Sequence, residues 1–94
     1  MRSGGCVASM RIHFSTRYEK EYRRLAAKVQ QQADDRIRLF LSHPFHPLLN
    51  NHPLGGKFQG CRSINVTGDY RALFEARGEI QLFIRIGTHP QLYG

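Results

Sequence analysis

The sequence is poor in cysteine, in acidic residues and in long apolar stretches. Its two cysteines, Cys6 and Cys61, stand far apart and form neither a CxxC motif nor a Cys/His cluster, which argues against a zinc site and a redox motif. No apolar run approaches the ~20 residues that a membrane-spanning helix needs, and residues 1–9 lack the apolar stretch of a secretory signal. We therefore expect a cytoplasmic protein with reduced thiols.

Acidic residues are half as numerous as basic ones. Seven Asp and Glu stand against fourteen Lys and Arg, which gives a net charge of +7 over 94 residues. Such a surplus favours a nucleic acid or an acidic protein as partner over a merely solvated basic surface. We predict a disordered N-terminal extension over residues 1–9, which are rich in small residues, and one domain over residues 10–94.

Apolar residues recur at helical spacing between residues 16 and 43. Thr16 with Glu19 three residues later has the form of a capping box, and two sets of apolar residues follow at intervals of three and four. The first set is Tyr18, Tyr22, Leu25, Ala26 and Val29, and the second is Ala33, Ile37, Phe40 and Leu41. The sequence therefore predicts two helices. The second should end before Pro44, because proline disfavours a helical conformation in the preceding residue.

Alternating apolar and polar residues predict strands on either side of these helices. A short strand is expected at 11–14, and three more at 61–66, 70–76 and 79–86, after a loop rich in Pro and Gly at 43–60. The last three are joined by tight, Gly-containing turns and form an antiparallel meander. We predict an α+β fold, a small antiparallel sheet in the order β-α-α-β-β-β with two helices packed on one face.

The end of the last strand carries the most promising chemistry. Four apolar residues share one face of that strand and are expected to point at the helices: Ile80, Leu82, Ile84 and Ile86. Phe83 and Arg85 then lie on the open face, and His89 lies just past the strand's end. An arginine stabilises a negatively charged phosphorus centre and a histidine moves protons near neutral pH, which favours chemistry on a phosphodiester. Alternatively, both residues have only a structural role: His89 forms a hydrogen bond with the backbone, and Arg85 forms an ion pair with Asp69 or Glu75.

Further candidates lie in the loop and on the neighbouring strands. His52 is a second candidate proton carrier, and Asp69 either orients a histidine or only shapes its turn. The candidates for substrate binding are Tyr93, Tyr70, Arg62 and Lys57. The two tyrosines either stack on bases or pack against the core, and the two cations either contact phosphate or are merely solvated.

A metal site is not predicted. His43 and His46 have a spacing that some metal sites use, but Pro44 between them precludes a helical presentation and no carboxylate is near. The Gly-rich stretch at 55–60 lacks the spacing of a nucleotide-binding loop. We expect no cofactor.

The motifs of residues 10–94 resemble the RelE/YafQ group of bacterial toxin ribonucleases, and most closely its YafQ branch. The resemblance rests on His52-x-Leu54-x-Gly56, Gly60-x-Arg62, Asp69-Tyr70 and Arg85-x-Gly87-Thr88-His89-x-x-Leu92-Tyr93. It implies the toxin of a type II toxin–antitoxin pair, a metal-free endoribonuclease that cuts mRNA on the translating 70S ribosome and is neutralised by an acidic antitoxin. The residues that match the family's active site are His52, Asp69, Tyr70, Arg85, His89 and Tyr93.

The resemblance also implies roles for these residues. His89 would act as general acid for the leaving 5′-oxygen, and Arg85 would stabilise the phosphorane. His52, or Asp69 through a water, would help to deprotonate the 2′-hydroxyl, and Tyr93 would hold a base by stacking.

Two departures from the family pattern matter. Asn65 stands where YafQ-like members often have a second histidine, and an amide cannot shuttle protons. Tyr70 and Tyr93 replace Trp and Phe, which preserves stacking. Asn65 leaves open a catalytically weakened relative that only binds its antitoxin. A second alternative, a toxin of the ParE kind that poisons DNA gyrase, stays open because such toxins share the fold.

Overall fold

The computed structural model of the protein describes residues 10–93. The strands are β1 (Arg11–Phe14), β2 (His52–Pro53), β3 (Cys61–Asn65), β4 (Tyr70–Arg77) and β5 (Ile80–Thr88). The helices are α1 (Thr16–Arg23), α2 (Ala27–Ser42) and α3 (His89–Tyr93), with 3-10 turns at Pro47–Leu49 and Gly56–Phe58. The extension predicted for residues 1–9 lies outside the described residues. Within residues 10–93, no helix has the length and apolar character needed to cross a membrane.

The five strands form one sheet in the order β1-β5-β4-β3-β2. The predicted α+β class and the antiparallel meander of β3, β4 and β5 are confirmed. The sheet as a whole is mixed, however, because β1 runs parallel to β5, with Arg11 opposite Ile80. Strand β2 adds a short edge to β3 within the predicted loop. Alternation identifies a strand but does not fix the direction of its neighbour, so neither feature was predicted.

The helices differ from the prediction mainly where they begin and end. Ser15, not Thr16, caps α1, since its hydroxyl accepts the N–H of Tyr18 at 3.0 Å. The predicted first apolar face crosses a break, because α1 ends before Leu25 and α2 begins after it. In α2, three predicted core residues are buried, namely Ala33, Ile37 and Phe40, whereas Leu41 is exposed. Helix α2 ends at Ser42, as Pro44 predicts.

The core lies between α2 and the sheet and is rich in phenylalanine. The ring of Phe40 lies 4.9 Å from that of Phe74 and 5.5 Å from that of Phe83. Strand β5 reaches this core through a bulge: Leu73 of β4 faces Arg85, but the next residue, Phe74, faces Phe83. The prediction that Phe83 points away from the helices, with Ile80 and Leu82 pointing at them, is therefore wrong, because the extra residue in β5 shifts the alternation by one.

Helix α1 continues along the edge of β5 where β1 stops. Ser15 donates its N–H to the carbonyl of Phe83 at 2.9 Å and its hydroxyl to the carbonyl of Ile84 at 3.0 Å. Further on, the carboxylate of Glu21 accepts the N–H of Ile86 at 3.0 Å. These bonds satisfy backbone groups of β5 at and beyond the end of its pairing with β1. They fix the final part of β5 just before the turn that carries His89.

Candidate active site

A pocket of about 280 Å³ opens on the face of the sheet that points away from α2. Its floor lies between β3 and β4, where Ser63 and Arg71 alternate with Ile64 and Ala72 of the core. The residues that line it are His52, Leu54, Ser63, Arg71, His89 and Tyr93. Three predicted site residues, two histidines and a tyrosine, therefore meet in one place.

A second pocket, of about 410 Å³, adjoins the first. Its lining is formed by Gly68, Asp69, Tyr70, Arg71, Thr88, His89 and Pro90. Because Arg71 and His89 line both pockets, we call the two together the His89 groove. The groove contains the predicted residues Asp69 and Tyr70, although Tyr70 also packs against the core.

The tautomer of His52 follows from one hydrogen bond. Its Nδ1 lies 2.8 Å from the carbonyl oxygen of Asn50. A carbonyl oxygen only accepts, so Nδ1 carries the hydrogen, and Nε2 of a neutral ring is left as the acceptor. Strand β2 holds this residue opposite Ser63. His52 is thus prepared to take up a proton at Nε2.

His89 begins α3 and is exposed at the turn after β5. Its ring lies 4.6 Å from that of Tyr93, one helical turn later. Tyr93 in turn meets the edge of Phe58 at 5.6 Å, and the Nζ of Lys57 lies 5.4 Å from the Phe58 ring. An imidazole, two aromatic rings and a cation therefore follow one another outward from the groove, which suits a nucleotide chain, although Phe58 and Lys57 line neither of its pockets.

Arg71 is the site residue that sequence reasoning missed. Its Nη1 donates to two backbone carbonyls of the β3–β4 turn, those of Thr67 and Gly68, and to that of Tyr70 at the start of β4, at 3.1 to 3.2 Å. No hydrogen bond within residues 10–93 involves its Nε or Nη2. The available signal was the alternation along the predicted strand. Arg71 precedes the core residue Ala72, so its side chain points to the opposite face of the sheet.

Arg85 lies on the predicted face of the sheet but does not line the His89 groove. By register it faces Leu73 on the open side of the sheet, but its guanidinium reaches Glu21 of α1 at the edge of β5. Nε and Nη2 lie 2.9 and 2.8 Å from Oε2 of that carboxylate, and the two side chains are only 13% and 20% exposed. The pairing with Asp69 or Glu75 considered from sequence does not form. Arg85 lines neither pocket of the His89 groove.

Arg62 also stays outside the groove. Its Nε donates to Oδ1 of Asn51 at 2.7 Å, and its guanidinium lies 5.5 Å from the Phe45 ring. It faces Phe74 across the strands and therefore belongs to the core side of the sheet. Within the described part of the chain, no three His, Cys, Asp or Glu residues are grouped so that they could hold a metal ion.

Comparison with known proteins identifies a matching family and solved structures with a similar fold. Residues 10–94 match the model of a family described as bacterial toxin of type II toxin-antitoxin system, YafQ. The fold is similar to that of YafQ from E. coli strain BL21(DE3), with a TM-score of 0.76 and 23% identity, over 90% of this chain and 99% of that chain. A search of curated proteins finds no match.

Two further solved structures are similar. The E. coli DinJ-YafQ toxin-antitoxin complex matches with a TM-score of 0.76 and 26% identity, over 92% of this chain and 99% of that chain. A YoeB/ParE toxin from Agrobacterium tumefaciens matches with a TM-score of 0.70 and 24% identity, over 85% of this chain and 99% of that chain.

Proposed function

The chain belongs to the YafQ family of bacterial toxins from type II toxin–antitoxin systems, and from this premise we propose that it is a metal-independent endoribonuclease that cleaves mRNA. One observation carries the proposal: His52 and His89 line the same pocket together with Arg71. Cleavage of RNA through its 2′-hydroxyl needs a proton acceptor, a proton donor and a cation for the phosphorane. The pocket contains one candidate for each task.

In the proposed reaction, the 2′-oxygen of the target nucleotide bonds to the adjacent phosphorus, and the bond from phosphorus to the 5′-oxygen breaks. Nε2 of His52, or Asp69 through a water, accepts the proton of the 2′-hydroxyl. His89 in its protonated form delivers a proton to the leaving 5′-oxygen. The products are a 5′-hydroxyl end and a 2′,3′-cyclic phosphate, which water can then hydrolyse to a 3′-phosphate.

The cation of this reaction is assigned to Arg71. Arg85 was predicted for the role from sequence, but its charge is neutralised by Glu21, and it lies outside the groove. Among residues 10–93, Arg71 is bound only by neutral carbonyls, so its full charge stays available to a phosphate. Tyr93 is proposed to stack on a base, and Lys57 to contact a neighbouring phosphate.

The partners follow from charge and family. The +7 charge favours approach to ribosomal RNA, so we place cleavage on the translating ribosome, in the cytoplasm. The similarity to the DinJ-YafQ complex supports an antitoxin partner. We expect it to be acidic, with a segment that folds on binding over the helices or across the groove.

The direct test is primer extension on a translated message after induction of the protein. Wild type should cut the message, and the purified protein should cleave ribosome-free RNA equally well with and without EDTA. His89→Ala should slow cleavage about 10²–10⁴-fold, because it removes general acid catalysis, and it should relieve growth inhibition. His13→Ala is the matched control, since His13 is an exposed histidine on β1, outside the groove.

Three outcomes would overturn the proposal. A folded His89→Ala protein that cleaves like wild type would remove His89 from the mechanism. Intact messages with gyrase-linked DNA breaks would favour the ParE-like alternative. Growth that is unaffected by induction, with no neighbouring gene whose product binds the protein, would contradict the toxin reading itself.

A further inference from the structure

The turn from β5 into α3 contains a reciprocal pair of hydrogen bonds around His89. The N–H of Thr88 donates to Oε1 of Gln91 at 2.9 Å, and the N–H of Gln91 points back to the hydroxyl of Thr88 at 3.4 Å. Thr88 precedes the helix and Gln91 is its third residue, so the pair is a capping box. The box spans the backbone of His89.

Gly87 supplies the space that this box requires. It is buried, and a Cβ built on it would lie 2.9 Å from Oε1 of Gln91 and 3.4 Å from its Cβ. A distance of 2.9 Å is closer than a methyl group and an amide oxygen approach each other, so any other residue at this position would displace the carboxamide. The lack of a side chain at Gly87 and the presence of Gln91 are therefore parts of one arrangement.

Gln91 does not line the His89 groove. Its side chain lies by a separate pocket between the end of α1 and the sheet, together with Glu21, Arg24, Leu25, Tyr70 and Ile86. Helix α3 has only five residues, too few to be stable without tertiary support. Its position depends on the buried Leu92 and on the capping box.

We propose that Gln91 is a positioning residue for His89. Through the box with Thr88 it fixes the backbone that carries the imidazole, and Gly87 makes room for it; this inference rests on the proposed nuclease function. A displacement of about 1 Å at a catalytic group costs on the order of 10²-fold in rate. Loss of the box should therefore lower kcat and leave the binding of RNA unchanged.

The first test compares Gln91→Ala with Gln91→Glu, which keeps the acceptor of the box. Gln91→Ala should lower kcat by about 10- to 100-fold with KM within about twofold of wild type, and Gln91→Glu should retain most of the rate. Gln31→Ala, at an exposed glutamine of α2, is the control. The proposal would be overturned if Gln91→Ala raised KM and left kcat unchanged, or if it changed neither constant.

The second test uses the contact between Gly87 and Gln91. Gly87→Ala alone should lower kcat, because the new methyl group pushes the carboxamide out of the box. Gly87→Ala/Gln91→Ala should be no slower than Gln91→Ala alone, since the displaced group is then gone. Losses that multiply in the double variant would show that the two residues act separately and would overturn the proposal.

Hydrogen exchange of the Thr88 amide separates this inference from the nuclease proposal. The amide should be protected in wild type and in Gln91→Glu, and should exchange faster in Gln91→Ala. If wild type cleaves no RNA, the proposed function fails while the exchange pattern still decides whether the box exists. Equal exchange in all three proteins would contradict the box itself.

Discussion

Two arginines flank the end of β5, and their surroundings differ in charge. On the α1 side, Arg85 is paired with the carboxylate of Glu21, in a position where both side chains are largely covered. On the groove side, Arg71 is held by the carbonyls of a turn, which are neutral. The first cation is neutralised within the fold, and the second is oriented without being neutralised.

This difference separates a structural role from a functional one. A neutralised guanidinium offers little attraction to a phosphate unless its carboxylate partner first leaves, which exposes a covered charge at considerable cost. An arginine bound by carbonyls is fixed in place and keeps its charge for a ligand. Arg85 therefore stabilises the junction between α1 and β5, and Arg71 is the candidate phosphate ligand.

The comparison predicts opposite effects for two matched variants. Arg71→Met should lower kcat/KM about 10²–10³-fold, as the loss of one preorganised charge donor does in other enzymes, and should change the melting temperature little. Arg85→Met should lower the melting temperature and leave the rate per folded molecule within about tenfold. Cleavage assays and thermal melts of the two purified proteins measure both effects.

The opposite outcome would restore the assignment made from sequence. If Arg85→Met folds as stably as wild type but loses cleavage, Arg85 must leave Glu21 and enter the groove during the reaction. Arg71 would then serve only the turn of β3 and β4.

A second prediction concerns the carboxylate of the pair. Glu21→Gln should lower the free energy of unfolding by about 2 kcal/mol, because it leaves the covered Arg85 without its counter-charge. Glu19→Gln is the control, since Glu19 is exposed on the same helix. Urea unfolding of both variants gives the difference. Equal stabilities would mean that the pair contributes nothing to folding.

How far the sequence predicted the fold depends on the range of the interactions. Helix α2 and the meander follow from local periodicity and turn residues, and both are confirmed. The bulge near Ile84 and the parallel pairing of β1 depend on contacts between distant segments, which periodicity does not contain. The cap of α1 was misplaced by one residue because Ser15 and Thr16 are both good capping residues.

The sequence predicted only part of the candidate site, because some of its contacts also join residues that are far apart in the chain. His52, His89 and Tyr93 share a pocket, although their roles stay predictions. The partner of Arg85 is 64 residues away in sequence, so no spacing rule indicates it. Arg71 was not among the predicted site residues, although the alternation of its own strand places it on the groove side.

The smallest predicted effect concerns the floor of the groove. Asn65 faces Arg71 across β3 and β4, and its Oδ1 is buried without a hydrogen-bond partner within residues 10–93. By alternation it shares a face with Ser63, which lines the groove. An imidazole in its place would lie beside the candidate phosphate ligand and would be able to exchange protons, which the amide cannot do.

Asn65→His should therefore raise the cleavage rate by about tenfold, less than the full range of general acid–base catalysis because His52 already offers one proton acceptor. The gain should appear with an added ionisation in the pH–rate profile near the ordinary histidine pKa of ~6.5. Asn65→Gln is the control, since it keeps an amide and should give no gain. A wild-type protein without activity that becomes active as Asn65→His would identify a weakened relative. An unchanged rate in Asn65→His would mean that proton transfer at this position does not limit the reaction, and that Asn65 is no defect in this chain.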